Sequence, residues 1–249
     1  MANMFVGAFC ALCLQAAYGE IVFVAVASNF SETAHVLAKR FNERSGHVVR
    51  ISSGSSGKLY AQIRNGAPFD IFLSADTARP ERVEFDGLAV PGTRFSYAEG
   101  TLVLWSVRER YADRNCLEVL KSLDFDYLAI ANPDTAPYGA AAKQWLEGLG
   151  LWRKIRSRIV TGENIGQAFH FAATRNAALG LVAAAQLADT DIPAGSCRYA
   201  VPASDHAPIM QQGVLLRRAR GSAAAREFIA SLHSDAATEE ILRRGYRRP

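Results

Sequence analysis

The stretch HVVRISSGSSGKLYAQIRNGAPFDIFLSAD, residues 47–76, predicts a strand, a helix and a second strand in succession. Residues 47–51 and 70–75 are short runs of β-branched and other apolar residues, which are typical of buried strands. Between them Leu59 and Ile63 are spaced as on one face of a helix. Because strand–helix–strand units build parallel sheets, the stretch indicates an α/β fold with mainly parallel sheets.

The same alternation continues along the chain, without a tandem repeat. Further strands are predicted at residues 21–26, 101–107, 127–131, 158–160, 178–184 and 213–217. Further helices are predicted at residues 30–46, 77–85, 140–150, 168–176, 223–233 and 236–246. In open α/β sheets the ligand lies beyond the carboxyl ends of the strands, where the helices begin. The strand-to-helix junctions are therefore where a functional site is expected.

The N-terminus differs from the rest of the chain. Residues 4–17 are apolar and end in small residues before the first charge, Glu20. The run is short for a membrane span, so residues 1–19 are interpreted as a cleaved export signal, with the mature protein starting between Tyr18 and Ile21. A buried strand or helix opening the mature domain is the alternative.

Two of the four cysteines, Cys10 and Cys13, lie inside this predicted signal. Cys116 and Cys197 remain, and in an oxidising compartment they form either a disulfide or two unrelated buried thiols. The net charge is +4, and its basic residues are scattered rather than arranged in a stripe with aromatic residues. That pattern argues against a nucleic-acid partner.

Four junctions carry polar groups: residues 27–29, 54–57, 136–139 and 162–165. They supply hydroxyl and amide groups and the free N–H groups of helix N-termini, with Glu163 as their one acid. Each polar residue alone could be a simple helix cap. Together they predict a site for an oxyanion held by neutral donors and helix dipoles.

The donor set also selects the anion. A site of N–H and O–H donors suits an anion without a proton, such as sulfate, molybdate or tungstate. Hydrogen phosphate needs an acceptor, and an unpaired buried polar group costs about 1–3 kcal/mol. Glu163 could be that acceptor, although a Glu just before a helix more often points outward.

Enzymatic interpretations have little support. The nucleotide-binding P-loop fails because Ser52 replaces its first glycine and Leu59 its Mg²⁺-binding hydroxyl. Ser55 and Lys58 match the S-x-x-K of penicillin-binding enzymes, but the K-T-G partner motif is missing. The five histidines show no metal-binding spacing: His35, His47, His170, His206 and His233. A serine hydrolase using Ser55 and Lys58 stays as the alternative from another class.

The junctions, in this order, resemble the periplasmic molybdate-binding proteins of ABC importers, the ModA family. The resemblance covers nearly all of the presumed mature chain. Its most specific part is GAPFDIFLSAD, residues 66–76, and the segments VFVAVASNF and GENIGQAF support it. It implies a two-lobed Venus-flytrap fold with lobe I at residues 20–98 and 205–249, lobe II at 99–204, and the ligand cleft between them.

The resemblance also implies the ligands, position by position. The anion would be held by Ser28, Asn29, Ser56, Tyr138 and the backbone N–H of Ile165. Some members supply a tyrosine hydroxyl from the strand where this chain has Ala183, and Tyr138 is expected to replace it from another wall. The amine of Lys58 is expected not to contact the anion.

The predicted function is therefore that of an exported, monomeric, non-enzymatic receptor. It captures molybdate, and also tungstate, for an inner-membrane ABC permease, without a cofactor and without a direct protein–metal ligand. A receptor for sulfate or another oxyanion is the alternative within the same class.

Overall fold

The computed structural model describes residues 19–188 and 195–249. They form two five-stranded sheets, each flanked by helices, so the fold is the predicted two-lobed α/β architecture. The predicted signal, apart from its last residue Gly19, lies outside the described residues. Among the described residues, no helix is long and apolar enough to cross a membrane.

The first sheet builds the first lobe, with strand order β2-β1-β3-β10-β4. Its strands are β1 Ile21–Ala27, β2 Val48–Gly54, β3 Ile71–Ser74, β4 Phe95–Gly100 and β10 Ile209–Leu215. β1 pairs in parallel with both β2 and β3, and Val24 lies between Ile51 and Ile71. β10 is antiparallel to its neighbours β3 and β4, so four strands share one direction. The expectation of a mainly parallel sheet holds with this one reversal.

The second sheet builds the second lobe in the same pattern, β7-β6-β8-β5-β9. Its strands are β5 Leu102–Ser106, β6 Leu128–Ala131, β7 Ile159–Gly162, β8 Leu179–Ala183 and β9 Cys197–Ala200. β6 is parallel to β7 and β8, and β5 is antiparallel to β8 and β9. The chain passes from the first sheet to the second after β4 and returns between β9 and β10.

The helices cover both sheets, and their first turns carry the caps that the sequence suggested. They are α1 Ser31–Ser45, α2 Ser56–Arg64, α3 Ala78–Phe85, α4 Cys116–Ser122, α5 Pro137–Gly148, α6 Trp152–Ile155, α7 Ile165–Ala173, α8 Ala223–Leu232 and α9 Asp235–Arg243. Ser55 caps α2 by accepting from the N–H of Lys58, and Asn164 caps α7 by accepting from Gln167. α1 ends at Gly46, whose φ of 73° suits glycine.

The strand and helix predictions miss four elements. β4, β9, α4 and α6 were not predicted, and the last strand spans 209–215 rather than 213–217. β4 carries Ser96 and Glu99 and lacks the long apolar run of a buried parallel strand. β9 has only four residues, too few for a clear alternation.

Cys116, at the start of α4, and Cys197, at the start of β9, form a disulfide with a Cα–Cα distance of 5.3 Å. The disulfide interpretation of these cysteines is therefore confirmed, and the bond joins two parts of the second lobe that are 81 residues apart in sequence.

Candidate functional site

A small cavity lies between the lobes, at the carboxyl ends of β1 and β2 and the N-termini of α2, α5 and α7. About 180 Å³ of space free of protein atoms lies here, part of it open to solvent. All five predicted ligand residues line it: Ser28, Asn29, Ser56, Tyr138 and Ile165. The remaining lining residues are small or apolar: Ala27, Gly54, Ser55, Ala75, Ala136 and Pro137. The structure thus brings together residues from all four polar junctions.

Ser56 is fixed in position at the start of α2. Its hydroxyl oxygen accepts a hydrogen bond of 3.0 Å from the N–H of Ala75, which follows β3. Because the oxygen already accepts, its own hydrogen is available to donate. The side chain is 1% exposed, so this donor is directed within the protein rather than to bulk water.

Ser28 and Ile165 face each other across the cleft. Ser28 starts the short 3-10 turn after β1, and within the described residues its hydroxyl makes no hydrogen bond. Gly166 follows Ile165 and comes so close that a methyl group there would lie 4.0 Å from the Ser28 hydroxyl oxygen. The first N–H groups of α7 have no intrahelical partner, so they add donors and a positive dipole end to this side.

Tyr138 lies in the first turn of α5 and is 1% exposed. Its hydroxyl reaches the crossing between the lobes, where a methyl group at Gly100 would lie within 2.8 Å of its ring. Glycine is therefore required at position 100. The hydroxyl oxygen accepts from Nε2 of Gln211, 3.4 Å away on β10.

Asn29 lines the cavity, but its side chain is committed elsewhere. Its Nδ2 donates to Oε1 of Gln211 at 2.9 Å and to the hydroxyl of Tyr246 at 3.2 Å. Both amide hydrogens are thereby used, so a ligand would find only the backbone N–H of Asn29. The side chain instead holds a buried polar cluster together.

We call this cluster the hinge network: Asn29, Tyr97, Tyr138, Gln211 and Tyr246. The Tyr97 hydroxyl has two acceptors for its hydrogen: the Ser74 carbonyl at 3.0 Å and Oε1 of Gln211 at 3.1 Å. Tyr246 donates to the Asn29 carbonyl at 2.7 Å. Gln211 was not among the predicted site residues: it precedes the predicted strand 213–217 and stands beside a second glutamine, Gln212, so the local sequence does not single it out.

Burial raises the pKa of Tyr138 and Tyr97 well above the usual tyrosine value, and raises that of Tyr246. In each case the desolvation of the phenolate is the largest cause. All three side chains therefore remain protonated and neutral at physiological pH, and each keeps one hydrogen to donate.

Three contacts close the cleft around the cavity. The N–H of Gly57 donates to the Thr135 carbonyl at 2.9 Å. Nζ of Lys58 lies 2.9 Å from a carboxylate oxygen of Glu163, which joins α2 to the start of α7. We call this ion pair the latch. Arg79 donates to the Asp134 carbonyl at 3.4 Å.

The latch pairs Glu163, the one acid of the junctions, with Lys58, which follows the second junction. Glu163 points to Lys58 across the cleft, so its carboxylate is not among the groups that line the cavity. Lys58 is likewise absent from the lining, as expected, although it is paired rather than simply solvated. The cavity is therefore lined by neutral groups.

The serine-hydrolase alternative requires the amine of Lys58 to act on the hydroxyl of Ser55, and the structure engages both groups in other contacts. The hydroxyl of Ser55 accepts the capping hydrogen bond of α2 at 3.4 Å, while the amine of Lys58 is engaged by Glu163. No group of His, Cys, Asp or Glu that could hold a metal ion occurs among residues 19–188 and 195–249.

Comparison with known proteins agrees with this architecture. The model of the family described as bacterial extracellular solute-binding protein matches residues 22–247. Molybdate-binding protein ModA of Rhodobacter capsulatus is 43% identical over 235 residues, which cover 94% of this chain and 91% of the relative. Molybdate-binding protein ModA of Azotobacter vinelandii is 44% identical over 231 residues, covering 93% and 91%.

A solved structure extends the likeness to three dimensions. The Azotobacter vinelandii periplasmic molybdate-binding protein superimposes with a TM-score of 0.86 at 42% identity, covering 92% of this chain and 99% of that one. The fold and the sequence match therefore define a bacterial extracellular solute-binding protein. Among these proteins the chain belongs to the ModA family.

Proposed function

We propose that this protein captures molybdate outside the cytoplasm and delivers it to an ABC permease in the inner membrane. The observation that carries the proposal is the cavity itself: Ser28, Ser56 and Tyr138 and the N-termini of α2, α5 and α7 converge on one small space between the two lobes. Neutral donors in this arrangement suit a dianion that carries no proton. The names of the two relatives with more than 40% identity support molybdate as that dianion.

The proposed ligand groups are the hydroxyls of Ser28, Ser56 and Tyr138 and the backbone N–H groups of Asn29 and Ile165. For Asn29 the backbone replaces the side chain, because Nδ2 is held by Gln211 and Tyr246. Tyr138 supplies the hydroxyl that Ala183 cannot. The metal is bound only as its oxyanion, so no protein atom coordinates it directly.

Tungstate is proposed as a second ligand, because its size and charge nearly equal those of molybdate. Sulfate is smaller, so its oxygens would not reach donors placed for molybdate on both lobes. We further propose that the receptor is a periplasmic monomer without enzymatic activity, and that the lobes divide near residues 98/99 and 204/205.

Isothermal titration with molybdate, tungstate, sulfate and phosphate tests the proposal. Molybdate and tungstate should bind with similar affinity, and sulfate and phosphate at least about a hundredfold more weakly, a difference of roughly 2.8 kcal/mol. Thermal unfolding with each anion is an independent check, since a ligand present at 100 times its Kd adds about 2.7 kcal/mol of stability. Preference for sulfate over molybdate would overturn the assignment of the ligand.

Export is tested separately. N-terminal sequencing of protein secreted to the periplasm should give a start between Tyr18 and Ile21. An intact Met1 on exported protein would contradict the cleaved signal.

A further inference from the structure

Arg79 lies in the first turn of α3, beside a groove that is lined by residues of both lobes. One end of its guanidinium group, Nη1, donates to a carboxylate oxygen of Asp76 within the first lobe. The other end, Nη2, donates to the backbone carbonyl of Asp134 in the second lobe at 3.4 Å. The planar group can serve both partners at once, because its N–H donors point outward in fixed directions. Arg79 therefore bridges the two lobes with one side chain.

The two partners place this bridge at the rim of the anion cavity. Asp76 directly follows Ala75, which lines the cavity from the first lobe. Asp134 lies two residues before Ala136, which lines the cavity from the second lobe. The side chain of Arg79 is 22% exposed, so most of it is removed from water. The guanidinium group thus spans the cleft just outside the cavity lining, of which it is not a part.

The bridge also covers the start of α2. A methyl group at Gly57 would lie 3.1 Å from Nη2 of Arg79 and 2.9 Å from the carbonyl oxygen of Thr135. The N–H of Gly57 donates to that same carbonyl at 2.9 Å. Gly57 follows Ser56, whose hydroxyl is a proposed ligand of the anion. Two successive carbonyls of the second lobe, at residues 134 and 135, therefore accept from the first lobe beside the anion.

The charge of Arg79 is balanced within its own lobe. Oδ1 of Asp76 accepts from the backbone N–H of Arg79 and from the hydroxyl of Ser74, both at 3.0 Å. The carboxylate is thereby held in place without help from the second lobe. In an open receptor Arg79 would keep this ion pair and lose only its contact with Asp134. That contact, a hydrogen bond from a charged donor, is specific to the closed protein.

We propose that Arg79 is a positioning residue that holds the cleft closed over the bound oxyanion and so sets the rate of its release. This inference rests on the proposed function and adds the control of release to it. Arg79 acts through the carbonyl of Asp134 and does not touch the anion. Since the contact is missing in the open receptor, Arg79 takes no part in capture. Release requires the cleft to reopen, so the contact slows release alone.

The test is the substitution Arg79→Lys, which keeps the positive charge and the ion pair with Asp76. A lysine amine is a compact charge at the end of a flexible chain, so it cannot span Asp76 and Asp134 as the planar group does. We expect radiolabelled molybdate to be released into excess unlabelled molybdate about three- to tenfold faster than from the wild type. The Kd from calorimetric titration should rise by the same factor. The association rate constant, which is the ratio of the two, should therefore stay within about twofold of the wild type.

Arg82→Lys is the matched control on the same helix. Arg82 pairs with Asp86 within the first lobe at 2.9 Å, and its side chain is 60% exposed. This substitution should change neither the release rate nor the Kd of molybdate. An unchanged release rate in Arg79→Lys, or a change no larger than in Arg82→Lys, would overturn the proposal. So would a loss of affinity that comes from slower association.

A purely structural role of Arg79 is separated by a double-mutant cycle. The turn that contains Asp76 also directs the N–H of Ala75 to the Ser56 hydroxyl, so a distorted turn would weaken that ligand. In that case Arg79→Lys would have no further effect in a Ser56→Ala background. We expect the same acceleration of release in both backgrounds, because the contact with Asp134 does not involve the Ser56 hydroxyl. Loss of the effect in the Ser56→Ala background would refute the inference.

Arg79→Gln is a second variant, which removes the positive charge and the bridge together. It should release molybdate at least as fast as Arg79→Lys, and slower release would contradict the proposal. A wild-type protein that binds no molybdate would instead refute the proposed function, and this inference with it. Normal binding by the wild type with unchanged release from Arg79→Lys would refute this inference alone.

Discussion

The latch and the hinge network both join the two lobes, but they do so in opposite surroundings. The Lys58 and Glu163 side chains are 48% and 65% exposed, whereas Gln211 is fully buried. An exposed ion pair contributes about 0–1 kcal/mol, because water and salt screen it. A buried polar group that loses its partner costs about 1–3 kcal/mol. The loss of a buried, neutral contact between the lobes is therefore expected to cost more than the loss of the exposed, charged one.

The largest expected effect is on stability and belongs to the disulfide, which joins two parts of the second lobe rather than the two lobes. Closing a loop of 81 residues stabilises the folded state by about 4 kcal/mol in the chain-entropy account. Denaturant unfolding of reduced and oxidised protein should show this loss, and intact mass should differ by two hydrogens. Anion preference should stay unchanged, because neither cysteine lines the cavity. A changed preference would mean that the disulfide also shapes the cavity.

Tyr138→Phe should have the largest effect on binding. The substitution leaves one oxygen of a dianion without its donor in a closed cleft, and hydrogen bonds to charged groups are worth about 1.5–3 kcal/mol. Molybdate affinity should fall roughly ten- to a hundredfold, as measured by calorimetric titration. Ser56→Ala should cost a similar amount for the same reason. Unchanged affinity in both variants would remove the neutral hydroxyls from the site.

Gly57→Ala should weaken binding through closure of the lobes. A methyl group at this position would lie 2.9 Å from the Thr135 carbonyl oxygen and 3.1 Å from its Cα, both backbone atoms of the opposite lobe. Overpacking of this kind costs about 1–3 kcal/mol, so the Kd should rise about tenfold or more.

The matched control for this variant is Gly148→Ala at the end of α5, where a methyl group would meet nothing within 4 Å. That protein should bind molybdate as the wild type does. Equal affinity of Gly57→Ala and Gly148→Ala would show that the closed contact between Gly57 and Thr135 is not part of the bound state.

Much of the fold could be predicted from local pattern. The runs at residues 21–26 and 70–75 are apolar enough to be read as buried parallel strands, and Ser55 and Asn164 mark helix starts by their capping chemistry. The short strands β4 and β9 could not be predicted, because they lie on the outer edges of the sheets and their pairing depends on distant strands.

The residues around the cavity could also be predicted from the sequence, but the contacts between distant residues could not. Junction residues could be named because strand ends in α/β sheets converge, and the structure places all five predicted ligand residues around one cavity. Gln211 could not be found, since it follows Asn29 by 182 residues and contacts partners that only the folded chain brings together. The same holds for the latch, whose two residues come from different lobes.

The smallest expected effect is that of the latch. Lys58→Ala leaves Glu163 free in solvent, and because the pair is exposed, molybdate affinity should change by less than about fivefold. Glu163→Gln removes the other charge of the latch. In both variants the affinity for molybdate should depend less on salt than it does in the wild type. The test raises the salt concentration from about 20 to about 500 mM, which shortens the Debye length from about 20 to about 4 Å. Calorimetric titration of both proteins beside Tyr138→Phe decides between charge and neutral donors. If Lys58→Ala abolishes binding while Tyr138→Phe leaves it intact, the anion is held by the lysine, and the neutral cradle is wrong.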